Sequence, residues 1–213
     1  MSNSRALIYR ITEAIFNRFL TRHRRILIKT VLWSFGKKSD KVRWQKKENL
    51  YTSWEGRSQL MAEWIPENTS VMEFGCGNMH LQKYLPKNCK YTPSDIVKRD
   101  QNTIVIDLNK HPLPNISAHD IFFFSGVLEY VYDVENLIKI LSKKCRWLIL
   151  SYTPCQSKSR NEVMWRRSEG WVNDYSLAEF MELLSQNGFH LIKQTKWKQQ
   201  SLFCLENFGK KDH

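Results

Sequence analysis

Two glycines and a small set of carboxylates carry the chemistry this sequence can do. Val71-Met72-Glu73-Phe74-Gly75-Cys76-Gly77-Asn78 reads as an apolar strand, a glycine turn and the start of a short helix. Lacking Cβ atoms, Gly75 and Gly77 let the backbone take unusual dihedrals and approach a bound molecule closely. Asn78 is expected to cap the helix, leaving free N–H groups suited to a carboxylate or a phosphate. Asp95 stands 22 residues beyond Glu73, near the end of a second expected strand. A carboxylate at such a strand tip can accept hydrogen bonds from both hydroxyls of a ribose. Taken alone, Gly-x-Gly is equally a tight structural turn, and Asp95 equally an ordinary cap.

Two familiar nucleotide motifs do not fit. A dinucleotide fingerprint needs a third glycine three residues after the second, where this chain has His80, and no Gly-Lys-Ser/Thr follows to make a P-loop. What Glu73-Phe74-Gly75-Cys76-Gly77 does resemble is the first motif of class I S-adenosylmethionine (SAM)-dependent methyltransferases. The resemblance covers about residues 50 to 206. It implies SAM as cofactor, lying over the C-terminal ends of the first four strands. It also implies that the Asp107-Leu108 pair receives the adenine, the acid accepting from the exocyclic amine and Leu108 packing on the ring.

The elements that must position these residues follow in order. A helix over 49–64 puts Leu50, Trp54, Met61 and Trp64 on one stripe, with Arg57 among them. A buried arginine needs a partner. Arg57 is either a structural ion-pairing or snorkelling residue, or, as in some similar enzymes, the partner of the SAM carboxylate. Lys90–Asp95 and Thr103–Asp107 read as the second and third strands. Asp120 to Gly126 reads as a buried fourth strand with Ser125, assigned to the cofactor set, at its end. The segment Val127-Leu128-Glu129-Tyr130-Val131-Tyr132-Asp133 resembles the post-strand stretch of methyltransferases acting on small molecules, lipids and sugars. Many relatives have a histidine where this chain has Tyr130, so a histidine-based acid/base role does not carry over. The Asn/Asp-Pro-Pro-aromatic motif of base-amine methylation is absent.

Trp147–Tyr152 is the fifth strand, and Cys155 to Asp174 reads as a long polar connection, either an acceptor loop or a variable surface loop. Ser176-Leu177-Ala178-Glu179 is a capping box opening a helix that Gly188 closes. Two further strands form a terminal hairpin. Alternating strands and helices imply a doubly wound α/β fold with a mostly parallel sheet. The resemblance makes it a seven-stranded, Rossmann-like methyltransferase sheet with its last strand antiparallel. No side chain is assigned as catalytic and no metal site is expected. Glu129, His111 and His119 are the nearest bases by sequence, and each reads first as structural.

The formal charge of +12 is uneven: residues 1–50 carry 13 Lys/Arg against three acids, a balance of +10. The expected division is a basic amphipathic helical extension over 1–47, a methyltransferase domain over 48–208 and a polar tail over 209–213. In the extension, Ile8, Ile11, Ile15 and Phe19 fall on one helical face, and a second apolar group runs from Ile26 to Phe35. Such a helix can lie on an anionic membrane, contact nucleic acid or cover its own domain. The working expectation is a docking element that the SAM site does not need. Five scattered cysteines without C-x-x-C spacing suit reduced thiols in a cytoplasmic protein, peripheral to the membrane at most. The function implied is methyl transfer to a small-molecule, sugar or lipid-linked acceptor. The alternatives are an RNA methyltransferase using the basic arm, and a non-catalytic SAM-binding scaffold.

Overall fold

In the computed structural model, residues 21–208 are described. The Ile8-to-Phe19 stripe and the 209–213 tail lie outside them. Seven strands form one sheet in the order β3-β2-β1-β4-β5-β7-β6. They are β1 (Ser70–Phe74), β2 (Lys90–Asp95), β3 (Ile104–Val105), β4 (Ile121–Phe124), β5 (Trp147–Tyr152), β6 (Phe189–Trp197) and β7 (Gln200–Asn207). β7 runs antiparallel to both β5 and β6, and all other pairings are parallel. β3 is shorter than the sequence suggests. Only Ile104 and Val105 pair with β2, at an open edge where both are half exposed.

Alternation along the strands fills two cores. Met72, Phe74, Phe122, Phe124, Leu148 and Leu150 face one side, against α4 (Val134–Leu141) and α6 (Leu177–Gln186). Val71, Ile121, Phe123 and Ile149 face the other, against Met61 and Ala62 of α3 (Glu55–Ala62). The helix expected over 49–64 is thus divided, with a 3-10 turn at Thr52–Trp54 before α3. The box at Ser176 forms as read, with both reciprocal bonds to Glu179.

Two departures matter for function. The 155–174 connection is not a loop throughout: α5 (Arg160–Glu169) occupies its middle. Ser159 caps its start and Gly170, at φ +89°, ends it. Its polar sequence hid it, because its one fully buried side chain is Arg166. That guanidinium donates to Thr153 O (2.9 Å), Asn173 O (2.9 Å) and Asp174 Oδ1 (3.0 Å), fastening α5 to the end of β5. The second departure concerns the extension. α1 (Arg22–Ser34) lies along α5, and α2 (Lys41–Gln45) follows it down to the strand ends.

Candidate functional site

The sheet order reverses direction between β1 and β4, and the crevice at such a switch point is where open α/β sheets bind ligands. Phe74 and Phe124 pair across that junction, so the turns at Gly75 and Gly126 emerge side by side. Both glycines have positive φ, +67° and +70°. A Cβ on Gly75 would lie 2.5 Å from Val127 Cγ2, and one on Gly126 would lie 2.5 Å from Arg57 Nη1. The Gly75 contact is with the branched side chain of the neighbouring turn, so at positive φ this close approach calls for glycine.

Above the turns opens a cleft of about 1250 Å³, its open mouth included. Glu73, Gly75, Gly77, Asp95, Asp107, Leu108, Ser125 and Arg57 all line it. Asp95, at the tip of β2, accepts from Gly77 N (2.9 Å) and Val97 N (3.0 Å) and pairs with Arg99 Nη2 (3.1 Å). Arg99, also in the lining, had no sequence signal beyond its four-residue spacing from Asp95. Asp107 accepts from Ser39 Oγ at 2.6 Å and Asn109 N at 3.1 Å. Glu73 is buried beneath the turn and accepts from the Tyr91 hydroxyl. Burial raises its pKa to about 8, and the charge of Asp95 adds to the shift. Arg57 donates through Nε to Ser125 Oγ and through Nη2 to Ser125 O, each at 2.8 Å, and through Nη1 to Gln200 Oε1. A guanidinium has five N–H donors. Three are engaged in these bonds, all to neutral groups, so Arg57 neither snorkels nor forms an ion pair, and the remaining donors are compatible with a ligand.

One expectation is corrected. Asn78 caps no helix: its side chain donates to Leu50 O (3.2 Å), and the chain passes through left-handed Met79 into a 3-10 segment at His80–Tyr84. Without a full helix there, the anion-binding N-terminus is lost, and the turn's own geometry shapes the site. The extension reaches the cleft, in keeping with its covering the domain. Ser39, Arg43 and Trp44 line the cleft, Arg43 Nη1 donates to Glu169 O (2.7 Å), and Arg99 Nη1 donates to Trp44 O (2.8 Å). Trp44 also packs edge-on against Tyr130, ring centroids 5.1 Å apart. Tyr130 thus packs directly against the extension.

A second cavity, of about 700 Å³ with its open mouth included, adjoins the first through shared walls at Arg43, Trp54, Arg57, Gly126 and Tyr130. Glu129 lines it and is fully buried. Its Oε1 accepts from Thr153 N (2.9 Å), Thr153 Oγ1 (3.2 Å) and Gln200 Nε2 (3.3 Å), while Oε2 has no partner. Burial raises the Glu129 pKa, against the pull of the Arg57 charge. The two histidines do not join it. His119 bonds to Thr92 Oγ1 on β2, and His111 is exposed and lines neither cavity.

A family profile described as a methyltransferase domain matches residues 47–194. No curated protein gives a significant sequence match. Among solved structures, the chain is similar to human N-acetylserotonin methyltransferase in complex with SAM, at TM-score 0.60 and 17% identity, covering 87% of this chain and 66% of that one. It is also similar to magnesium protoporphyrin IX methyltransferase from Synechocystis with bound S-adenosylhomocysteine (SAH), at 0.57 and 16%, covering 84% and 99%. A structure described as a putative O-methyltransferase from Nostoc punctiforme gives 0.61 and 13%, covering 86% and 67%. The chain spans 54% of another match, the pyocyanin biosynthetic protein PhzM. At these identities the structural likeness speaks for the fold, and the profile, spanning most of the chain, speaks for descent: this chain belongs to the class I methyltransferase family.

Proposed function

We propose that the chain is an enzyme that binds SAM along the first cleft and transfers its methyl group to a small-molecule, sugar or lipid-linked acceptor. The observation that carries this reading is the convergence of all eight expected residues on one cleft at the switch point. The residues fit the cofactor. The two turns offer a floor without side chains, and Asp95 stands where a ribose diol would hydrogen-bond. Asp107 and Leu108 would meet the adenine, and the spare N–H groups of Arg57 the methionine carboxylate. Titratable Glu73 beneath the turn would ionise as the cationic cofactor arrives. Bound SAM supplies a methyl group already activated by its sulfonium. The protein's main contribution is then to hold an acceptor in line with the S–CH₃ bond, which can supply about 7–11 kcal/mol of the barrier. Calorimetric titration with SAM and SAH tests this. One site of micromolar affinity is expected, and silence towards both with binding of NADH would contradict it. An intact-mass assay of acceptor methylation then separates an enzyme from a scaffold.

For the extension, the outer surface of α1 favours peripheral membrane contact. Val31, Leu32 and Phe35 are 44%, 62% and 87% exposed, and Lys37, Lys38 and Lys41 follow directly. Exposed apolar side chains beside lysines suit an anionic bilayer surface. Among the described residues no helix is long and apolar enough to cross one. Flotation with anionic vesicles should retain the protein, and Leu32→Asp with Phe35→Asp should release it. Indifference to vesicles with salt-sensitive retention on RNA would favour the nucleic-acid arm instead.

A further inference from the structure

The second cavity faces what the cofactor cleft does not. It borders the cleft at Arg57 and Gly126, beside the expected methionine end, and is remote from Asp107 and Leu108, which do not line it. Its walls come from α1, α2, the segment leading into α3, the end of α5, the segment after β4 and Gln200 of β7. In it lies the one buried carboxylate oxygen without a hydrogen-bond partner among the described residues, Glu129 Oε2. A buried polar atom left unpaired is costly to the fold, and such atoms in native structures call for a functional explanation. The other oxygen is fixed by Thr153 and Gln200, and Thr153 is in turn held by the fully buried Arg166. This carboxylate cannot swing away to find water.

We propose that this second cavity is the acceptor site, that it takes a flat, ring-bearing hydroxyl compound of neutral or acidic character, and that Glu129 Oε2 receives the hydroxyl proton. The inference rests on the first cleft being the cofactor site. Trp54, Tyr130 and Trp171 provide aromatic walls, which suits a ring. Arg22, Arg43 and Arg57 line the same space against Glu129 and Glu169, a cationic excess that disfavours an ammonium and suits a carboxylate substituent. In the step, a lone pair of the acceptor oxygen forms the new O–CH₃ bond as the S–CH₃ bond breaks. The bonding pair of that S–C bond stays on sulfur, giving SAH, and the O–H proton passes to Glu129.

The matched probes are para-hydroxybenzoate and para-aminobenzoate, with hydroxynaphthoate and aminonaphthoate for ring size, each offered with labelled SAM to the full chain. Methylation of the hydroxyl member of each pair is expected, and Glu129→Gln, close to isosteric and still able to accept from Thr153, should lower that rate at least about 100-fold. The same variant should keep SAH affinity within about threefold of wild type. Should Glu129→Gln fold poorly, Ile26→Trp on α1 fills the cavity from its other side and should block transfer with SAH binding intact. Wild-type rates in either folded variant, methylation of the amines over the hydroxyls, or failure of the hydroxyl probes to bind SAH-loaded protein would overturn the assignment. Failure of the wild type to bind SAM at all would instead overturn the cofactor reading beneath it.

Discussion

The two cavities that meet at Arg57 and Gly126 are built in opposite ways. The cofactor cleft is cut into the ends of β1, β2 and β4. Its key residues sit within a few positions of a strand terminus, and its floor is backbone. The second draws most of its walls from helices and connections, with Gln200 of β7 among them. Its polar centre, Glu129, is held by Thr153 after β5 and Gln200 on β7. The two buried glutamates show the same contrast. Glu73 has the Tyr91 hydroxyl as a partner, whereas Glu129 keeps one oxygen with none. A site made of strand tips suits a ligand common to a fold, and a site made of added helices can vary with the acceptor.

Breaking the first cavity should have the largest effect. Gly75→Val places a Cβ against Val127 at positive φ, so SAM binding should fall beyond calorimetric detection, at least about 100-fold, in a chain that still folds. Asp95→Ala comes next. It removes the expected ribose acceptor, worth about 1.5–3 kcal/mol or at least about tenfold in affinity. It also strands Arg99, whose side chain is 9% exposed, so thermal stability of the ligand-free protein should drop as well. A chain beginning at Lys46 removes Ser39, Arg43 and Trp44 from the wall of the cofactor cleft, and SAM affinity should weaken by about tenfold. Unchanged affinity would return the extension to a purely docking role. A readout that involves no ligand is stability against pH. Glu73 stays protonated in the fold up to about 8 but ionises from 4.5 when unfolded, so the folded state holds the extra proton between those values. Its contribution is complete below 4.5 and is lost progressively as pH rises to about 8. Denaturant titrations across that range should show the decline, and Glu73→Gln should flatten it.

The same contrast explains what could be read from the sequence. Gly75, Gly77 and Asp95 announce themselves through local spacing, and the strands through continuous apolar runs. Even the capping box at Ser176 forms as read. α5 was obscured because it buries an arginine in place of an apolar stripe. The available signals were a Ser159-to-Glu162 cap and a terminal Gly170. Nothing local links Ser39 to Asp107 across 68 residues, or Arg57 to Gln200 across 143. Those pairings depend on where the sheet carries each segment. For that reason Glu129 could be named as a nearby base but not separated from His111 and His119 until its surroundings were known.

The division of labour between the two cavities is tested most directly by titrating SAH into Gly75→Val and Glu129→Gln side by side. The account predicts no binding heat for the first variant and affinity within about threefold of wild type for the second. Loss of SAH binding in a folded Glu129→Gln protein, or its retention in Gly75→Val, would contradict it.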